Sequence, residues 1–268
     1  MKSEDLALKI RKDVVTMAHI SKGSHVACAL SIVDLVSVLY NDILNVFPDN
    51  PKNPLRDRFI LSKGHAGATV YSALAEKGFF DKEKLKEHYA NGSILSGHVS
   101  HKGVPGVEFS TGSLGHGVCV ACGMALAAKK DNKTHKIVAI IGDGECEEGC
   151  IWEMALFASH FKLSNFTIII DHNKFQAMGK CEDILGLNDL KKKWEAFNFN
   201  VIEIDGHNHD EIRKAFKHLS SKKPNCIIAN TIKGKGVSFM ENNIVWHYKY
   251  PEGEYFDKAI KELEAKNK

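Results

Sequence analysis

"IIGDGECEEGCIWEMALFASHFKLSNFTIIIDHNKFQ", residues 140–176, decides the fold. An apolar run leads into an acidic turn, "GDGECEEG", and a second apolar run ends at Asn173. Strands buried on both faces carry continuous rather than alternating apolar residues, which is the mark of a parallel sheet covered by helices. Between the two runs, residues 145–163 read as a helix that is apolar around most of its circumference, with Ile151, Trp152, Met154, Leu156, Phe157 and Phe161. A strand–helix–strand unit of this length returns the chain to the same edge of the sheet. Asp143 and Asn173 then both stand just past strand carboxyl ends, where sheets of this kind gather ligands.

Outward from this unit the pattern repeats. "RFILS" at 58–62, "KIVAIIGD" at 136–143, "NFTIIID" at 165–171, "NVIEID" at 200–205 and "NCIIANT" at 225–231 read as strands separated by helical stretches. Residues 4–20 have helical apolar spacing, 45–58 form a proline-broken surface loop, and "FDKAIKELEAKNK" reads as an exposed terminal helix. With no internal repeat and no low-complexity linker, the expectation is one α/β domain over 1–268, a mostly parallel sheet with helices on both faces, an N-terminal helical extension and a C-terminal tail helix.

Composition excludes several classes. The 36 basic and 33 acidic residues leave a formal charge of +3, and no dense Lys/Arg block suggests nucleic-acid binding. No apolar run reaches the ~18 residues of a membrane span, and the charged start does not resemble a signal peptide, so the expected setting is cytoplasmic. Seven cysteines in such a chain are expected to be reduced thiols. Cys119 and Cys122 form a CxxC, and Cys146 and Cys150 lie four positions apart, one turn of a helix; burial as small apolar residues is a more economical reading than a four-Cys zinc site. A dinucleotide-binding oxidoreductase is disfavoured because no GxGxxG follows the first strand.

An Asp carboxylate and an Asn carbonyl are hard oxygen donors suited to Mg²⁺ or Ca²⁺, and Mg²⁺ with so few side-chain ligands completes its octahedron with phosphate oxygens and water. Gly142 and Gly144 let the backbone come close to an anion near a helix start. Alone, these residues are more economically a turn and a strand end. Three further segments point to chemistry: "STGSLGHG" at 110–117, "SKGHAG" at 62–67 with His65 after the first strand, and "IKGKGVSFMENNIVWH" at 232–247 with Lys233 and His247 after the last.

In order, "KGSH…SKGHAG…SGH…GVEFSTGSLGHG…GDGECEEG…DHNKFQ…KGKGVSFMENN…WH" resembles the amino-terminal half of the transketolases, over about residues 5 to 250. The resemblance implies the thiamine-diphosphate-binding fold. It assigns Mg²⁺, with Ca²⁺ or Mn²⁺ as substitutes, to Asp143, Asn173 and the main-chain carbonyl of Phe175. His65, Gly144, Lys233 and His247 would contact the diphosphate, and Gly112, Ser113 and Leu114 would lie along the cofactor. Glu148 matches an acidic residue buried near a subunit interface, where it links paired cofactor sites. His25, His65, His98 and His247 are the implied catalytic imidazoles, with His25, His98 and His247 facing the substrate.

The implied reaction moves a two-carbon ketol unit from a ketose to an aldehyde or sugar acceptor. The family's pyrimidine-binding domain has no room in the roughly twenty residues after His247. The resemblance therefore implies a split enzyme completed by a separate pyrimidine-binding chain, as an α₂β₂ assembly. Alternatives are an acyloin-forming synthase on the same cofactor, such as a deoxyxylulose-phosphate synthase, and a non-catalytic cofactor-binding subunit. Three departures bear on substrate: "SHVACA" around His25, His116 where the family has Gln, and "WHYKYP", which puts Tyr248 and Tyr250 beside His247. These suggest sugar or sugar-phosphate substrates that include a modified or nucleotide-linked sugar.

Overall fold

The computed structural model describes residues 1–265. Its five strands are β1 (Arg58–Leu61), β2 (Ile137–Gly142), β3 (Phe166–His172), β4 (Asn200–Asp205) and β5 (Asn225–Asn230), in the spatial order β1-β2-β3-β5-β4. Every neighbouring pair is parallel. All five expected runs are strands, and alternate residues of each inner strand feed opposite faces. Val138 and Ile140 of β2, Ile169 of β3 and Ile227 of β5 enter one core, while Ile137, Ala139, Ile141, Ile168, Ile170 and Ile228 enter the other. Such two-sided burial, about 1.5–3 kcal/mol for each fully buried Ile or Leu side chain, is what a continuous apolar run supplies. β4 departs from the expectation. It is one of the two edge strands, with Glu203 and Asp205 exposed and Ile204 buried.

The helices are α1 (Ser3–Ser21), α2 (Val26–Ser31), α3 (Val33–Val38), α4 (Gly67–Glu76), α5 (His116–Lys130), α6 (Gly149–His160), α7 (Cys181–Leu185), α8 (Leu190–Ala196), α9 (His209–Lys217) and α10 (Glu254–Ala265). The first four pack with α9 and α10 on one face of the sheet, and α5, α6 and α8 on the other. Helix ends follow local chemistry. Asn208 caps α9 by accepting from the N–H groups of Asp210 and Glu211, the first turn carries those acids, and the last carries Lys214 and Lys217.

Two expected elements are corrected. The helix expected over 145–163 is broken: a 3₁₀ turn covers Gly144–Glu147, Glu148 is extended, and α6 begins at Gly149. Cys146 and Cys150 therefore do not share a helix. The tail helix α10 is amphipathic rather than exposed, burying Ala259 and Leu263 against the core; Lys266, Asn267 and Lys268 of that stretch lie outside the described residues. The loop before β1 is a loop as expected, although Arg56 and Asp57 at its end are buried. Among the described residues no helix is long and apolar enough to cross a membrane.

Candidate active site

Parallel pairing brings Gly142 opposite Asp171 at the carboxyl ends of β2 and β3, so the two loops that follow leave the sheet side by side. Asp143 and Asn173, both buried, line one cavity of about 370 Å³. Asp143 accepts hydrogen bonds from the backbone N–H of Lys174 (2.6 Å) and of Gly144 (2.8 Å), tying the loops together. Burial, then the negative charge of Asp171, pushes its carboxyl above the usual carboxylate range. Asn173 Oδ1 accepts from Phe175 N–H (3.0 Å), and its amide nitrogen donates to Asp171 Oδ2 (2.8 Å). A buried carboxylate met by backbone donors and a neighbouring carboxylate, beside an amide oxygen, is an electronegative recess that fits a hard divalent cation.

Lys233 lines the same cavity with 1 % of its surface exposed, and its ammonium donates to Gln176 O (2.8 Å). Its hydrogen bond goes to a backbone carbonyl rather than to a carboxylate, and burial lowers its pKa although the charges of Asp143 and Asp171 act the other way. A buried ammonium close to an electronegative recess fits a cation-bound anion such as a diphosphate. Gly112, Leu114 and Gly144 line the cavity too. Close backbone approach around it depends on glycine. A Cβ on Gly64 would stand 2.5 Å from Thr111 O, and one on Gly115, whose φ is +84°, would strike Cys150 and Glu148.

Four imidazoles complete the cavity. His25 is the N-terminal cap of α2, with φ +71°, and its N–H donates to His247 O (2.7 Å). His65 sits in the 3₁₀ turn after β1, His98 in the long loop that precedes α5, and His247 ends the 3₁₀ turn Ile244–His247. The ring of His25 lies 5.2 Å from His65, 5.6 Å from His98 and 4.9 Å from His247, centroid to centroid. Burial, then the charges of His98, Lys63 and Lys233, lowers His25 to about 4; burial, then Lys233 and His25, lowers His247 to about 3. His65 falls well below its ordinary value and His98 falls as well, burial being the leading cause in both. The cluster is thus neutral near pH 7. Nδ1 of His25 meets Ser24 Oγ (2.9 Å) and Nδ1 of His247 meets Cys28 Sγ (3.2 Å), which leaves the Nε2 atoms for a ligand.

The structure brings together His25, His65, His98, His247, Gly112, Leu114, Asp143, Gly144, Asn173, Phe175 and Lys233. Ser113 and Glu148 do not line this cavity, and both are exposed in the single chain. Tyr248 packs against His247, ring centroids 4.8 Å apart, but is 63 % exposed, and His116 is exposed. Tyr250 faces elsewhere. It lines a separate cavity of about 340 Å³ with Trp246 and Tyr255, because the chain turns at Tyr248. The cysteines form no metal cluster among the described residues; Cys122 and Cys146 are packed in the apolar core beneath α5 and α6.

Sequence reasoning missed three residues. Glu145, 1 % exposed, accepts from Ser62 Oγ (2.5 Å) and from the N–H groups of Gly115 (2.7 Å) and Gly142 (3.1 Å), so it joins three cavity loops. Lys63 and Asp171 form a buried pair next to Asn173. The visible signal was position: each lies near a strand carboxyl end. Broader depressions of about 780 and 810 Å³ lie over residues 172–188 and 49–58, but the buried charges and the imidazole cluster converge on the smaller one.

With this geometry in hand, comparison with known proteins is consistent. Residues 3–250 match the family model for the transketolase thiamine diphosphate binding domain. The chain is 45% identical over 258 residues to the A subunit of the apulose-4-phosphate transketolase of Actinobacillus succinogenes, covering 94% of this chain and 92% of that protein. It is 40% identical over 271 residues to the 6-deoxy-6-sulfo-D-fructose transketolase subunit SqwG of a Clostridium species, covering 98% of each. Among solved structures, transketolase from Campylobacter jejuni superposes with a TM-score of 0.89 at 34% identity, covering 98% of this chain and 42% of that one. The chain therefore spans about two fifths of the length of such solved transketolases. It belongs to the transketolase family of thiamine-diphosphate-dependent transferases, in which it corresponds to the thiamine diphosphate binding domain.

Proposed function

We propose that this chain is the diphosphate-binding component of a two-component transketolase, transferring a two-carbon ketol unit from a ketose to an aldehyde or sugar acceptor. The observation that carries the reading is the single cavity holding Asp143 and Asn173, Lys233, and four clustered imidazoles. Asp143, Asn173 and the carbonyl of Phe175 hold Mg²⁺, while Lys233, His65, His247 and Gly144 receive the diphosphate. Gly112 and Leu114, with Ser113 between them, run along the cofactor. When bound, thiamine diphosphate supplies the electron sink for breaking a carbon–carbon bond next to a carbonyl.

The rest is done by this chain's own groups. His25, His98 and His247 surround the position of a ketose's hydroxyl and carbonyl oxygens. A neutral Nε2 accepts a proton from a hydroxyl as the bond breaks and returns it to the acceptor's new hydroxyl. One five-stranded sheet with an apolar core on each face supports treating 1–268 as a single domain.

The partner is a separate pyrimidine-binding chain in an α₂β₂ assembly; the relatives' naming as individual transketolase subunits supports the need for a partner subunit. The exposure of Glu148 in the single chain supports its burial against a second subunit in the assembly. The relatives' names specify apulose-4-phosphate and 6-deoxy-6-sulfo-D-fructose, which supports sugar-phosphate or modified-sugar substrates here. Free thiols at all seven cysteines support a reducing, cytoplasmic setting. The test is reconstitution. Chain and partner with thiamine diphosphate and Mg²⁺ should transfer a ketol unit from a ketose phosphate, with neither chain active alone. Consumption of pyruvate with release of CO₂ would instead identify an acyloin synthase, and cofactor binding by the complex without turnover of any ketose or pyruvate would identify a non-catalytic cofactor-binding subunit.

A further inference from the structure

The loop that carries Lys233 is anchored from behind by a buried polar hub outside the cavity. Asp34 of α3, 5 % exposed, receives three cationic or imidazole groups. Arg11 Nη2 lies 2.5 Å from Oδ2, His207 Nδ1 2.7 Å from Oδ2, and His209 Nε2 3.0 Å from Oδ1. Two of these arms continue to the Lys233 loop. His207 Nε2 accepts from Ile232 N–H (2.8 Å), leaving its ring proton on Nδ1 for Asp34, and Arg11 Nε donates to Lys235 O (3.3 Å). The backbone is thus gripped one residue before Lys233 and two residues after it. The third arm goes elsewhere: His209 Nδ1 meets Ser3 Oγ (2.8 Å) at the start of α1.

We propose that Asp34 and His207 are positioning residues for the diphosphate, fixing the backbone on both sides of Lys233 so that its ammonium is held in the cavity. This rests on the assignment of Lys233 to the diphosphate. A long, flexible side chain loses rotamer entropy when confined, so a rigid backbone root lowers the cost of presenting the charge to an anion. Burial would raise the Asp34 carboxyl, but Arg11, His207 and His209 outweigh it and hold the group well below the usual carboxylate range, so the hub stays charged at any working pH. The simpler account is that the hub only ties α1, α3 and the β4–α9 connection together. The unequal destinations of its arms separate the two.

The experiment measures, by calorimetry on the complex with the partner chain, the affinity for thiamine diphosphate with Mg²⁺, alongside urea midpoints. His207→Asn keeps a donor for Asp34 but removes the acceptor for Ile232 N–H; His207→Gln keeps that acceptor. His209→Leu cuts the arm that does not reach the loop. His207→Asn is expected to weaken binding about tenfold or more, the size typical of lost outer-sphere support. His207→Gln should recover much of the loss, and His209→Leu should lower the urea midpoint with affinity unchanged. In a Lys233→Met background the His207→Asn effect on affinity should vanish, since both act through one group. Hydrogen exchange of the free chain should show faster exchange at 232–236 for His207→Asn and Asp34→Asn. Equal losses of affinity from His207→Asn and His209→Leu, or the same His207→Asn effect with and without Lys233, would overturn the proposal. If the wild-type complex binds no thiamine diphosphate, the functional reading itself fails and the positioning role falls with it.

Discussion

Lys63 Nζ lies 2.5 Å from Asp171 Oδ2, with both side chains sealed from solvent and Asn173 donating to the same carboxylate oxygen. Ser31 and Thr231 also donate to Asp171, so strands β1, β3 and β5 and helix α2 meet at this carboxylate. Burial works against both charges, but each partner outweighs it: the Lys63 pKa is raised and that of Asp171 is lowered. Breaking such a pair from one side strands a buried charge. Lys63→Met is expected to cost about 3–5 kcal/mol, read from urea unfolding, whereas Lys63→Met with Asp171→Asn should cost less than the sum of the two single changes. Strict additivity would mean the pair is not an energetic unit.

Asp143→Asn preserves shape and removes the one charge in the proposed cation set. The complex should lose at least about 100-fold in Mg²⁺-dependent affinity for thiamine diphosphate, equivalent to roughly 2.8 kcal/mol. The folded chain should not lose stability, because the carboxyl is strained by burial and by Asp171 when no cation is present. Unchanged cofactor affinity in calorimetry would remove Asp143 from the site.

Stability should fall in mild acid. His25 and His88 are held at about 4 and His247 at about 3, burial being the largest cause in each. An unfolded imidazole titrates near 6.5, so below that the unfolded chain binds protons that the folded chain does not. The contribution is intact above about pH 7 and is lost as pH drops from about 6.5 toward 4. The low-lying carboxylates Asp34 and Asp171 add their losses only below the usual carboxylate range. Unfolding midpoints at pH 7.5, 6 and 5 should show uptake of more than one proton, and a flat profile would contradict it.

His88 is 6 % exposed, and neither ring nitrogen has a hydrogen-bond partner among the described residues. Its ring lies against Tyr71 and Tyr89, which suits an aromatic of similar size. His88→Phe should stabilise the chain by about 1–2 kcal/mol, by removing unsatisfied buried nitrogens while keeping the packing. A lower midpoint for the variant would mean that an ordered water satisfies the ring.

Tyr248 packs against His247, a residue of the cavity, while remaining 63 % exposed itself. Tyr248→Gly should change KM for the acceptor sugar several-fold with little change in cofactor affinity. Identical turnover of ordinary pentose phosphates by both forms would argue that the tyrosine plays no part in acceptor choice.

The runs of β1, β2, β3 and β5 could be read because a strand buried on both faces leaves no polar alternation to confuse it, while β4, with Glu203 and Asp205 exposed, was legible from its β-rich composition. Asp143, Asn173 and His65 could be read because they closely follow those runs, whereas His25 and His98 were marked only by the ordered family motifs. The break at Glu148 could not, since whether a chain bends between Glu147 and Gly149 depends on what the Gly144–Glu147 turn packs against. Glu145 was indistinguishable in sequence from Glu147 and Glu148, and only its burial among Ser62, Gly115 and Gly142 marks it out.

What the sequence determined by itself was the order of strands and helices and the residues at strand ends, because these follow from local periodicity. Tertiary structure decided which of those ends converge. The order β1-β2-β3-β5-β4 puts β5, and with it Lys233, beside β3 rather than at the edge. It also brings Asp34 and His207, separated by 173 positions in the chain, within 2.7 Å of each other. Such contacts depend on how the sheet is assembled and on what each buried charge can pair with, and neither is a property of neighbouring residues.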